Sequence, residues 1–322
     1  MSKIVVGDIG GTNARFGLAY VDSEDTVIIE NYEKYSCDDF EDFKGLFDKY
    51  LRSIDKAFGG VCLAVAGPKK DNAIKLTNRN WKISEAEVIN QSGVESVHIC
   101  NDFVAMARSI PEMSEHDFRV LHDGIAQHNE PILVAGAGTG FGVSYLVPTM
   151  TGWRVQNTEG GHIAYAPRNK TELEILSILL ETHKFVPIEL LTSGSGLVSL
   201  HKAICKRHSK AFRPISPVDI RQRAQDGDMI CAEICEIRAG AIMGALGDLA
   251  LAGGTKGGII LAGGVSEKNI EFCIKPKAMQ NYFIRGPRSD YLREIPIRLI
   301  TNARAALIGA AAVFMDKKKF DT

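Results

Sequence analysis

The chain has 322 residues, with 38 Lys and Arg against 39 Asp and Glu for a formal net charge of −1, and 45% apolar, 7% aromatic and 24% charged residues. That is the composition of an ordinary globular protein, and at roughly 150 residues per domain the length predicts two domains and excludes a lone small module. Near-neutral charge gives no general attraction to nucleic acid or an anionic membrane, so the expected partner is a small molecule held at a local site.

In chain order, Ile4 to Val6 predicts a buried strand, interrupted by Asp8 far short of an export-signal core. Arg15 to Tyr20 follows across a Gly-rich turn, the pattern of a hairpin. Asp38 with Glu41 predicts a capped helix start, with Phe40, Phe43, Phe47, Tyr50, Leu51 and Ile54 at helical spacing until Gly59-Gly60. Val61 to Val65 is the next expected strand. Ser84 with Glu87 predicts a short capped helix ending at Gly93, and Val97 to Cys100 a strand running into a helix over Phe103 to Ser109, broken by Pro111.

Beyond Pro111 the theme restarts. Ile132 to Ala135 and Phe141 to Val147 predict two strands around a second Gly-rich turn. Gly7-Asp8-Ile9-Gly10-Gly11-Thr12 leading to Phe16-Gly17-Leu18-Ala19-Tyr20 parallels Gly136-Ala137-Gly138-Thr139-Gly140 leading to Phe141-Gly142-Val143-Ser144-Tyr145, which suggests duplication around a shared cleft. Gly-turn hairpins are common enough to arise independently as well.

The second half is more helical. Thr171 with Glu174 predicts one helix start, Leu197 to His208 a second helix, and Ser216-Pro217 a cap followed by Pro at the first helical position. Met229 to Ala252 predicts a long helix closed by Gly253-Gly254, then Ile259 to Ala262 a buried strand running into Gly263-Gly264. Asn302 to Met315 predicts an Ala-rich terminal helix, with Lys317-Lys318-Lys319 as a solvated tail past its end. The longest apolar stretch, Ala305 to Met315, is about half the roughly 20 residues of a bilayer span, so no membrane partner is expected. Seven scattered cysteines, an odd number, predict reduced thiols and a cytoplasmic location.

Three Gly-rich turns follow buried strands, at Gly7 to Thr12, Gly136 to Gly140 and Gly263-Gly264. Such turns bring backbone N–H groups close to phosphate oxygens. Gly254-Thr255-Lys256-Gly257 does not fit a Walker A loop, and the glycines from Gly136 to Gly142 have the wrong spacing for a dinucleotide fingerprint and lead into a strand. What remains is a strand-turn-strand phosphate clamp, with Thr12 and Thr139 as hydroxyl donors and Asp8 as a carboxylate able to hold hydrated Mg²⁺. Asn101-Asp102 stands where a strand meets a helix, so Asp102 is either a general base or a routine helix cap. Glu159, His162 and Glu189 lie in or beside Gly-bearing loops and are either sugar-hydroxyl ligands or solvated loop residues. No His-Glu-x-x-His or Cys-x-x-Cys pattern occurs, so zinc is not expected.

Six tracts, in order, carry a resemblance over essentially the whole chain: Asp8-Ile9-Gly10-Gly11-Thr12-Asn13, Leu76-Thr77-Asn78 with Trp81, Asn101-Asp102, Gly136-Ala137-Gly138-Thr139-Gly140, Glu159-Gly160-Gly161-His162 and Leu261-Ala262-Gly263-Gly264-Val265. Together they closely resemble the bacterial-type glucokinases of the hexokinase and actin-like ATPase superfamily. The resemblance implies a two-domain α/β chain with the actin-like ATPase (ribonuclease H-like) fold and an interdomain active-site cleft. Residues 1–110 plus 301–322 would form a small domain, and 111–300 a large one.

It further implies that ATP phosphates meet Gly10, Gly11, Thr12, Asn13, Gly138, Thr139 and Gly140, with Asp8 toward Mg²⁺ through water and Gly263 and Gly264 at the adenosine end. Glucose would be held by Asn78, Asn101, Asp102, Glu159, His162 and Glu189. Related repressors carry a Cys-rich zinc motif after this histidine and an N-terminal helix-turn-helix. Here Ile163-Ala164-Tyr165-Ala166 follows His162, and only three residues precede the first strand, so neither zinc nor a DNA-binding arm is expected. The implied reaction is ATP-dependent phosphorylation of the glucose 6-hydroxyl, feeding glycolysis, by a cytoplasmic homodimer with Asp102 as base. A non-catalytic sugar or nucleotide sensor and an acetate-kinase-like enzyme are the competing readings.

Overall fold

The structure is a computed structural model and describes residues 2–55 and 57–320; Met1, Asp321 and Thr322, which the expected domain limits include, lie outside the described residues, as does Lys56. The chain divides into two compact units: Met1–Phe118 with Thr149–Asn157 and Ile300–Thr322, and Arg119–Pro148 with Thr158–Leu299.

The first unit is built on a five-stranded sheet in the order β3-β2-β1-β4-β8, with β1 Ile4–Ile9, β2 Asn13–Val21, β3 Val27–Ser36, β4 Val61–Val65 and β8 Val97–Asn101. Between β4 and β8 lie three short strands, β5 Lys69–Lys70, β6 Ala73–Lys75 and β7 Lys82–Ser84, forming a separate antiparallel sheet. β1 and β2 make an antiparallel hairpin, and β1, β4 and β8 run parallel.

Both faces of this sheet are covered, which is why Ile4 to Val6 of β1 and the whole of β4 read as apolar runs. Side chains alternate between faces with period two. Val5, Ile9, Val61, Leu63 and Val65 join one core with helix α1, Phe43–Ser53, which contributes Phe43, Leu46, Phe47 and Tyr50. Ile4, Val6, Cys62 and Ala64 join the other, covered by the C-terminal helix Ala305–Phe320 through Leu307, Ala310, Ala311 and Phe314. A side chain at Gly309 would stand 1.7 Å from the Ala105 carbonyl, so only glycine allows that helix to cross α3 (Asp102–Arg108) this closely. The helix runs past Met315 to Phe320, so the three lysines belong to its last turns rather than to a tail. Arg108 Nε holds Asp316 at 2.6 Å in that extension.

Helix α1 starts later than expected. Ser36 caps a 3-10 turn over Cys37–Asp39, and Asp42, not Asp38, caps α1 by accepting the Gly45 N–H. The Ser84 and Glu87 capping box forms as expected on helix α2, Glu85–Ser92, which Gly93 closes in the left-handed region.

In the second unit the sheet runs β11-β10-β13-β14, with β9 beyond β14; these are β9 Phe118–His122, β10 Ile132–Ala137, β11 Phe141–Thr149, β13 Gly258–Leu261 and β14 Ile297–Ile300. The tract Thr149–Asn157, which carries most of β12 (Gly152–Thr158), groups with the first unit. Four helices follow: α4 Lys170–Leu180, α5 Ile188–Thr192, α6 Leu197–Arg207 and α7 Pro217–Gln225. The 25-residue helix α8, Met229–Gly253, is buried along most of its length, as a helix apolar all round must be. Asn169 rather than Thr171 caps α4, because Glu172 is drawn into a buried network with Tyr165 and Asn281.

The repeat holds in topology and not residue by residue. β2-β1-β4-β8 and β11-β10-β13-β14 share one order and one set of strand senses. The first hairpin closes on Ile9 opposite Ala14, the second on Ala137 opposite Phe141. Phe16 therefore stands two residues beyond the position that Phe141 fills, and the likeness of the two Phe-Gly-x-x-Tyr tracts is out of register.

Candidate active site

The first unit carries Asp8, Gly10, Gly11, Thr12, Asn13, Asn78, Asn101 and Asp102. Asp8 lies level with Ala64 and Cys100 across three parallel strands, near their carboxyl ends, where open α/β sheets bind ligands. The turn after β1 is closed by the Gly10 N–H donating to the Asn13 carbonyl at 3.0 Å, and the Cys37 N–H holds the Thr12 carbonyl at 2.9 Å. Asn78 packs against this turn, its Cβ 3.2 Å from where a Gly11 Cβ would stand.

Helix α3 begins at the end of β8, and its cap decides how Asp102 is used. Asn101 takes the capping position: its side-chain oxygen accepts the Phe103 N–H at 2.9 Å, and its Nδ2 donates to the Gly67 carbonyl at 3.1 Å. Asp102 is the first helical residue, and one carboxylate oxygen shares the same Phe103 N–H at 3.0 Å. Burial, and then the charge of Asp8, raise the Asp102 carboxyl to about 6, against the N–H of Phe103. Asp8 is itself raised by burial, although Arg15 Nη1 donates to its Oδ2 at 2.7 Å.

The second unit carries Gly138, Thr139, Gly140, Glu159, His162, Glu189, Gly263 and Gly264. Its own elements bring these tracts together around the β10–β11 turn. The Phe141 N–H donates to Glu189 Oε2 at 2.8 Å, and a side chain at Gly140 would meet that oxygen at 2.5 Å. The N–H groups of Gly194 and Ser195 hold the carbonyls of Gly138 and Thr139 at 2.9 and 3.3 Å. Gly263, at φ 87°, precedes the short helix α9, Gly264–Lys268, whose Ser266 Oγ accepts the Ala137 N–H at 2.8 Å. Any side chain on Gly263 would lie 2.5 Å from the Ala137 carbonyl, so the third glycine turn backs directly onto the second.

Glu159 precedes and His162 ends a 3-10 turn over Gly160–His162. Gly160 and Gly161 are buried against Val143 and the Phe141 carbonyl, while the side chains of Glu159 and His162 stay exposed.

A sequence model of the Glucokinase family matches residues 5–317. The chain belongs to the glucokinase family. It is 35% identical over 309 residues to the glucokinase of Caulobacter sp. strain K31, covering 95% of this chain and 93% of that one. The solved glucokinase of an Antarctic psychrotroph superposes with a TM-score of 0.85 at 31% identity, over 98% of this chain and 99% of that one. A glucokinase of the ROK family from Streptomyces griseus, solved with glucose and AMPPNP, shares the fold at a TM-score of 0.65 and 20% identity, covering 97% and 98%. The fold is thus the two-domain actin-like ATPase fold of glucokinases and ROK sugar kinases.

Two arginines of this glucokinase-family chain, Arg15 and Arg79, were not evident among the candidate site residues. Arg15 stands directly opposite Asp8 across the hairpin, a pairing readable once the two strands are drawn about their turn. Arg79 Nε donates to the Gly11 carbonyl at 2.6 Å, Nη2 pairs with Asp38, and the guanidinium lies 5.1 Å from the Trp81 ring centre. Its link to Gly11 spans 68 residues and leaves no local pattern.

Proposed function

We propose that this chain transfers the γ-phosphoryl group of ATP to the 6-hydroxyl of D-glucose, giving glucose 6-phosphate and ADP, with Asp102 as the general base. The observation that carries the reading is the division of labour at α3. Asn101 takes the helix cap, so the half-buried Asp102 carboxylate, raised to about 6, is left for chemistry. A base matched to this range is ionised at neutral pH and accepts a proton more readily than an ordinary carboxylate. The 6-hydroxyl oxygen attacks the γ-phosphorus in line as the bond to the ADP oxygen breaks, and its proton passes to Asp102 late, once negative charge has left the attacking oxygen.

The glycine turns would hold phosphate oxygens through backbone N–H groups: Gly10, Gly11, Thr12 and Asn13 from the first unit, Gly138, Thr139 and Gly140 from the second. Gly263 and Gly264 would face the nucleoside, and Asn78, Asn101, Glu159, His162 and Glu189 the sugar hydroxyls. Asp8 fits a Mg²⁺ site: it offers hard oxygen donors of which Arg15 engages one, and Mg²⁺ usually keeps several waters beside one or two carboxylates. That ion would neutralise charge on the β- and γ-phosphate oxygens.

The same reading makes the protein a cytoplasmic homodimer of glycolysis with no nucleic-acid or membrane partner. All seven cysteines are buried and unpaired, which suits a reducing compartment, and no helix among the described residues is long and apolar enough to cross a membrane. ADP formation with Mg-ATP across glucose, mannose, fructose, N-acetylglucosamine and no sugar tests the proposal. Glucose-dependent turnover is the expected outcome, and sugar binding without turnover would favour a sensor.

A further inference from the structure

Arg238, on the long buried helix α8, is only 5% exposed. Burying a guanidinium is costly unless its charge and donors are met. No carboxylate is among the ionisable groups that act on it; these are the cation Arg221 and the thiols of Cys235 and Cys273, which burial keeps protonated. Nε has no partner among the described residues. The hydrogen bond it makes is from Nη2 to the backbone carbonyl of Ser193.

Ser193 opens the turn whose next two N–H groups, from Gly194 and Ser195, hold the carbonyls of Gly138 and Thr139. Ser193 Oγ tightens the same turn by accepting the Gly196 N–H at 3.1 Å and meeting Ser195 Oγ at 2.9 Å. A chain of hydrogen bonds thus runs from a buried cation in the core of the second unit, through Ser193–Gly196, to the glycine turn after β10. We infer that Arg238 is a positioning residue for the donor site: it fixes Ser193–Gly196, and through it the Gly138-Thr139-Gly140 turn, in the conformation that receives the phosphates of ATP. The inference rests on the sugar-kinase reading above and adds a residue that the glycine motifs do not include.

Because the bracing ends on the backbone of the phosphate turn and engages no sugar-facing side chain, its loss weakens the nucleotide more than the sugar. Arg238→Met removes the fork and the charge at similar length. Its KM for ATP, and its Kd for the analogue AMPPNP by calorimetry, should rise about 10-fold, the scale of one charge-assisted hydrogen bond. Its Kd for glucose should change less than about twofold on the same scale. Arg238→Lys keeps a cation and should recover part of the loss.

All measurements are made well below the melting temperature of each variant. A folded Met variant with unchanged ATP affinity, or one that loses ATP and glucose affinity alike, overturns the inference. Should the Met variant not fold, Arg238→Lys is read in its place: it keeps the charge without the fork, and AMPPNP affinity equal to that of the wild type overturns the inference. Wild-type protein lacking glucose-dependent turnover would instead remove the sugar-kinase reading, a result separate from any contrast between variants.

Discussion

The two glycine turns occupy equivalent places in two sheets of the same topology, yet they are made rigid by different means. In the first unit, the position one step before the hairpin's closing pair is Asp8, opposite Arg15; in the second it is Gly136, opposite Gly142. No side chain fits at Gly136, because a Cβ there would stand 1.8 Å from the Ala262 carbonyl. The first turn thus spends this position on a carboxylate that also raises Asp102, while the second spends it on close backbone approach of β10 to the end of β13. The first is pinned by arginines, and the second by Glu189, Ser266 and the turn at Ser193. On the proposed function, a repeated topology would supply two phosphate-binding turns while assigning acid–base chemistry to one of them.

The sharpest contrast comes from alanine at the two equivalent positions. Gly136→Ala drives a methyl group into backbone that cannot yield and should cost several kcal/mol, enough to leave the second unit unfolded or insoluble. Asp8→Ala meets no such clash and should give folded protein with impaired turnover. Thermal melts of the two variants side by side check this, and a normally folded Gly136→Ala would break the comparison.

Next in size is the coupling between the two carboxylates. Activity of the wild type should fall as pH drops through about 6, as Asp102 takes up a proton. Asp8→Asn removes a charge that raises Asp102, so this acid limb of kcat/KM should move to lower pH. The same variant should need roughly 10-fold more Mg²⁺ for half-maximal rate. An acid limb that does not move would separate the two carboxylates.

The smallest effect concerns the latch on the second turn. Glu189→Ala leaves the Phe141 N–H without its partner and should cost about 1–3 kcal/mol of stability, with a severalfold rise in KM for ATP. Glu189→Gln keeps an acceptor oxygen and should fall between the alanine variant and wild type in both melting temperature and KM.

Much of this was legible in the sequence because it is local. Buried strands, the Ser84 box, the long helix from Met229 and the glycine turns each follow from neighbours a few residues apart. The failures are places where distant partners chose between local options. Asp38 was available to cap a helix, but the chain first makes a 3-10 turn at Cys37 and Asp38 pairs with Arg79 instead. Thr171 lost to Asn169 because Glu172 bonds to Tyr165 and to Asn281, 109 residues away. β3 and β14 were not anticipated: β3 is largely polar and half-buried, and β14 has only four residues. In the site, the family resemblance implies Asn101 as a sugar ligand, and the fold adds that its amide oxygen and one amide N–H already engage the backbone of Phe103 and Gly67. No local pattern marks Arg79 or Arg238, whose roles exist only once the turns they hold have been folded.

The central claim is that Asp102 is a base and not a cap. Its raised carboxyl means the folded chain holds a proton there between about pH 4 and 6 that the unfolded chain releases, so the stability tied to the neutral acid is lost as pH rises through about 6. Asp102→Asn, which removes this cost and leaves the Asn101 cap in place, should melt no lower than wild type at pH 7. The decisive measurement is kcat for glucose phosphorylation by that variant, with glucose affinity read by calorimetry on the same sample. The account predicts a loss of ~10²-fold or more in kcat with glucose affinity nearly kept. A well-folded variant that turns over at the wild-type rate would contradict it.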